Sequence, residues 1–120
     1  MRFLLAIHTD EKAESKASPE EQSKVWQAYT KYTDDLKAAG VLEGGEPLLP
    51  SAHGAKVQLR AGKRSIVDGP FSEAREVLGG YYILACKSPQ EANEWAARCP
   101  GAAHGTIEVR QIMAMTAGPA

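Results

Sequence analysis

Tyr81-Tyr82-Ile83-Leu84-Ala85-Cys86-Lys87-Ser88-Pro89-Gln90-Glu91 decides the fold. Its first six residues are apolar on both alternating faces, which predicts a central strand covered on both sides. Its last four are a helix start: Ser88 can cap, Pro89 suits the first helical position, and Glu91 completes a capping box. Beyond it runs the stripe Ala92, Trp95, Ala96, Cys99, ended by Pro100-Gly101. A final strand follows, with Ile107, Val109, Gln111 and Met113 alternating against Glu108, Arg110 and Ile112.

The N-terminal half has the same grammar. Phe3 to His8 reads as a second two-faced apolar strand, and Thr9 to Ala17 as a loop. Ser18-Pro19-Glu20-Glu21 opens a helix over residues 19–39, with the stripe Val25, Tyr29, Tyr32, Leu36, Trp26 at its border, and a stop at Gly40. Val41 to Pro50, interrupted by glycines and prolines, suits an edge strand. After a turn at Ser51 to Gly54, Lys56 to Arg60 and Arg64 to Asp68 alternate around Ala61-Gly62-Lys63, a three-residue hairpin loop.

The order is β-α-β, a hairpin, then β-α-β. It predicts one domain over residues 1–120: an α+β, ferredoxin-like sandwich with an antiparallel sheet, two helices on one face and an added hairpin. Two helices cover only one face, yet the two central strands are apolar on both. A bare face would exceed the apolar patch normal for a monomer, so a homodimer joined through sheet faces is expected, with a pocket between sheet and hairpin. The tail, Thr116 to Ala120, should be loose.

The 120 residues suffice for a core without staples. A net charge of −1, with 14 scattered Lys and Arg, argues against nucleic-acid or acidic-membrane partners. The short apolar run Phe3 to Ile7 is neither a signal peptide nor a membrane span, and a cytoplasmic protein is expected. Cys86 and Cys99 end apolar runs and read as small buried hydrophobes, a disulfide between them being the alternative.

Special residues concentrate in Val67-Asp68-Gly69-Pro70-Phe71 and its continuation to Tyr82. Asp-Gly-Pro is turn chemistry. Asp68 is the candidate general base, the alternative being a cap on its own turn. Glu76 is a second carboxylate, and His8, at the end of a central strand, a proton-transfer partner near neutral pH. Phe71 and Glu46 are candidate ligand contacts. Tyr81 and Tyr82 point to opposite faces, so one should join the helix side and the other offer its hydroxyl on the open face. His8, His53 and His104 have no ligand spacing, so no metal is expected. No phosphate loop, dinucleotide fingerprint or nucleophile elbow occurs, so no cofactor is expected either.

Val67-Asp68-Gly69-Pro70-Phe71 with Glu73, Glu76 and Leu78-Gly79-Gly80-Tyr81-Tyr82 resembles the DGPF-motif branch of the YCII-related proteins. Glu94 to Pro100, Ile107 to Arg110 and Leu36 to Leu42 with Gly45-Glu46 resemble the same family. The resemblance implies a ferredoxin-like fold, a dimer of the α/β-barrel type and a pocket at the sheet. Some relatives are enzymes on small organic molecules; others are encoded or fused with sigma factors. Shorter relatives pair a His on the first helix with an Asp, but no His lies between Pro19 and Ala39, so that pair is not carried over. The expected function is a small-molecule pocket working by acid–base proton transfer. The alternative is a non-catalytic ligand-sensing or partner-binding module linked to sigma-factor-type transcriptional regulation.

Overall fold

The two strands that are apolar on both faces form the centre of the sheet. β1 (Arg2–Thr9) pairs antiparallel with β5 (Val77–Ala85); β6 (Thr106–Gln111) flanks β1 and β2 (Leu42–Pro47) flanks β5. The order β2-β5-β1-β6, antiparallel throughout, is two interlocked split β-α-β units and hence ferredoxin-like. The computed structural model describes residues 1–115; the tail expected to be loose lies outside them. The sheet stays open, and the described residues form no closed barrel.

Two helices cover one face. α2 (Pro19–Ala38) and α3 (Pro89–Arg98) start as the capping boxes require: Ser18 Oγ and Ser88 Oγ accept the amides of Glu21 and Glu91 at 3.1 Å. Phe3, Leu5, Ile7 and Leu84 from the sheet meet Tyr32 and Leu36 of α2 and Ala92 and Ala96 of α3 in one core. The Tyr32 hydroxyl donates to the Trp95 carbonyl at 2.7 Å, fixing α2 against α3. Cys86 and Cys99 are both buried and free.

Several local readings are corrected. The loop expected before α2 contains a short helix, α1 (Glu11–Ser15), because Asp10 Oδ1 accepts the Ala13 amide and caps it. The α2 stripe is buried only from Tyr29 onward. Val25 is exposed, and Trp26 is 71% exposed, because the core beneath ends at Gly101, which abuts the Tyr29 hydroxyl. β5 begins at Val77, four residues ahead of the expected Tyr81, and takes the two glycines into the strand. Ile7 pairs with Gly80 and His8 with Leu78, leaving Gly79 as a β-bulge. The last strand ends at Gln111, short of Met113.

The hairpin forms from β3 (Ala55–Arg60) and β4 (Lys63–Asp68). Its loop has two residues and not three, since Arg60 pairs with Lys63. Ala61 (φ 50) and Gly62 (φ 74) both take positive φ, the geometry that matches the twist of the flanking strands.

Candidate functional site

Residues paired across antiparallel strands share a face, so the register lays out the surface the helices leave open. One row runs Glu46, Tyr81, Ala6, Glu108; the next runs Leu78, His8, Thr106. His8 Nε2 lies 3.4 Å from Glu108 Oε1. Arg110 Nη1 donates to Glu108 Oε2 at 3.1 Å. That hydrogen bond, aided by His8, holds the Glu108 carboxyl below the usual carboxylate range. Thr106 Oγ1 donates to Glu76 Oε1 at 2.9 Å, so Glu76 reaches the same end of the sheet as His8. The structure therefore brings His8, Glu76, Tyr81 and Glu46 onto or beside one face.

Tyr82 is placed elsewhere. It lies on the helix side, edge-on to Tyr32 with ring centroids 5.4 Å apart, and shares a 2.8 Å hydrogen bond with the Thr33 hydroxyl. Burial pushes its phenol up from the ordinary value.

Asp68 also stands apart. It ends β4 opposite Ala55, exposed, and among the described residues its carboxylate forms no hydrogen bond or ion pair. It does not cap the turn. The Gly69 amide donates to the Gly54 carbonyl at 2.9 Å, and the Phe71 amide to Ser51 Oγ at 3.2 Å. The Gly69–Pro70 peptide is cis.

Phe71 lines a cavity of about 460 Å3 between the end of β2, the hairpin root and the start of β5. Pro47, Leu48, Leu49, Val77 and Leu78 make its apolar walls, with Ser51 and His53 as polar lining. Lys56 Nζ sits 4.3 Å from the Phe71 ring centroid, a cation on the ring face. Leu78 lines this cavity and is the cross-strand partner of His8, which itself lies one strand away from the lining.

Three contributors escaped the sequence reading. Glu11 of α1 accepts both the Ser51 amide and the Ser51 hydroxyl at 2.6 Å, tying the helix to the cavity wall. Glu108 was visible only as a polar position in an alternating strand. Leu78 stood in a turn-like context that the bulge converts into strand.

Three comparisons place the chain among known proteins. The family model described as YCII-related domain matches residues 1–116. An uncharacterised protein of Rhizobium meliloti (strain 1021) is 31% identical over 114 residues, covering 93% of this chain and 92% of that protein. Among solved structures, 5-chloro-2-hydroxyhydroquinone dehydrochlorinase of Burkholderia phenoliruptrix AC1100, in complex with 2,5-dihydroxybenzoquinone, has a similar fold. Its TM-score is 0.55 at 17% identity, with 99% of this chain and 100% of that chain covered.

Proposed function

This chain belongs to the YCII-related domain family, and on that premise we propose that it binds a small oxygenated ring compound in the Phe71–Leu78 cavity and carries out acid–base proton transfer with His8. The observation that carries this reading is the position of Leu78, which lines the cavity and pairs across strands with His8, the partner of Glu108. A neutral imidazole takes a proton from the ligand, the Glu108 carboxylate stabilises the resulting imidazolium, and the proton returns to ligand or water. Tyr81 and Glu46 offer polar contacts along the same face. Asp68, exposed at the hairpin root and outside the cavity lining, has no part in this reading. The ring-compound class follows the ligand of the dehydrochlorinase that shares the fold and the apolar, Phe71-walled cavity.

The test is a side-chain NMR titration with 2,5-dihydroxybenzoquinone as probe. Shifts at His8 and Leu78 that saturate with ligand, and that His8→Ala weakens, are expected. Shifts confined to other residues sink the reading.

The protein works as a homodimer through its open faces. It exposes 8668 Å2, where a compact monomer of this mass exposes about 6300 Å2. It is also only 18 Å thick, the depth of one sheet and one helix layer. Light scattering checks this: a mass near 12.9 kDa at every concentration would remove the dimer.

A further inference from the structure

The β3–β4 hairpin stands free of the body. Every residue of both strands is exposed. An isolated two-stranded ribbon is marginal in water, so one this long needs a surface to lie on. It carries the means to do so. Val57 pairs with Ile66, and Leu59 lies two residues from Val57, so these three share one face. They are 64%, 55% and 66% exposed.

Charge indicates the occupant. Residues 55–68 hold Lys56, Arg60, Lys63 and Arg64 against Asp68, a net +3; the whole chain is −1, so the remainder is −4. The arm is thus opposite in charge to the rest of the chain. Arg64 shares the face of Val57, Leu59 and Ile66, while Lys56, Arg60 and Lys63 lie on the other face of the ribbon and form the rim of a docked arm. Reach fits as well. Six residues of strand extend about 20 Å, and four strands spaced about 4.8 Å apart make a sheet of similar width. The body offers a matching apolar surface in Leu4, Tyr81 and Ile83 on its open face, with Glu46 at the edge.

We infer that the β3–β4 arm of one copy lies across the open sheet face of a second copy, with Val57, Leu59 and Ile66 against Leu4, Tyr81 and Ile83. The exchange roofs the His8–Tyr81 row, so each site is completed by the other protomer. The inference rests on the homodimer proposed above and specifies what meets each open face. The partner's arm, and not the partner's sheet, covers Leu4, Tyr81 and Ile83, whereas direct sheet-to-sheet pairing would leave the arms in solvent.

Hydrogen exchange on the wild-type chain, read at concentrations above and below dimer dissociation, separates the two. The β3 and β4 amides are expected to be at least tenfold better protected in the dimer. A dimer whose arm amides exchange like a free hairpin overturns the arm and leaves the dimer standing. Protection that does not change with concentration places the arm on its own chain and overturns the exchange. A protein that is monomeric throughout removes both. As a second readout, Leu59→Glu should weaken dimerisation at least tenfold in sedimentation, whereas Gln58→Glu, on the opposite face of the ribbon, should not. Equal behaviour of the two variants refutes the apolar contact.

Discussion

The Glu11 carboxylate grips Ser51 with both oxygens: Oε1 accepts the Ser51 amide and Oε2 its hydroxyl, each at 2.6 Å. Ser51 Oγ in turn accepts the Phe71 amide at 3.2 Å. One residue of a five-residue helix thereby fixes the cavity wall and the Gly69-Pro70-Phe71 turn together. The turn is held by this relay, which leaves Asp68 without a structural task.

Glu11→Ala should cost about 1.5–3 kcal/mol, because hydrogen bonds to a charged group are the stronger kind and two partners are left unmatched. Urea unfolding measures it. Ser51→Ala keeps the Ser51 amide on Glu11 but removes both the hydroxyl link to Glu11 and the acceptor of the Phe71 amide, and should cost a similar amount. The double variant should fall short of the sum, since both changes break one network.

Gly69→Ala should be more damaging than its size suggests. A Cβ on Gly69 would overlap the Ser51 carbonyl oxygen and crowd the Ala52 amide, both backbone atoms that cannot swing aside. The expected loss is about 3 kcal/mol or more, at the upper end for overpacking. Thermal unfolding should show a drop of several degrees, and a smaller loss would mean the turn repacks.

What could be read in advance was local. Ser18 and Ser88 announce their helices because a cap needs only residues three apart. β1 and β5 announce their central place because alternation is a property of one strand. The Glu11–Ser51 link joins residues 40 apart, and neither residue carries a local sign of the other. Val25 looked core-facing because a stripe records which side of a helix is apolar, not how far the sheet beneath it extends. Asp68 drew attention through its turn motif, yet the relay through Ser51 does the holding. Among the candidates, parity set His8 with Leu4 and Ala6 and set Tyr81 against Tyr82. Which tyrosine shares the His8 face needed the Ala6–Tyr81 register, and Glu108 became a partner only once β6 was known to lie beside β1.

Alkaline pH should destabilise the fold in two stages. Burial pushes the Cys99 thiol above its ordinary 9.0, and pushes the Tyr29 and Tyr32 phenols above 10.0. Each folded value exceeds the unfolded one, so the native state holds more protons in between. That contribution is complete below the unfolded value and is lost as pH rises through the folded one. Stability should therefore decline from about pH 9, by up to about 1.4 kcal/mol per pH unit for each group involved. Burial raises the Cys86 thiol as well, so the onset should move to about pH 10 only when Cys86→Ala and Cys99→Ala are combined, as followed by urea midpoints across pH 8–11.

Adjacent tyrosines should behave oppositely, because strand parity sends them to different faces. Tyr82→Phe removes the partner of the Thr33 hydroxyl inside the helix layer and should cost about 1 kcal/mol of stability, leaving ligand affinity unchanged. Tyr81→Phe keeps the packing of its ring on the open face and removes only a hydroxyl in the row with Glu46 and Glu108. Stability should hold while affinity for the dihydroxybenzoquinone probe falls several-fold. Calorimetric unfolding and ligand titration on the two variants give four numbers. If Tyr82→Phe weakens binding and Tyr81→Phe does not, the site lies on the helix side and the open face serves packing alone.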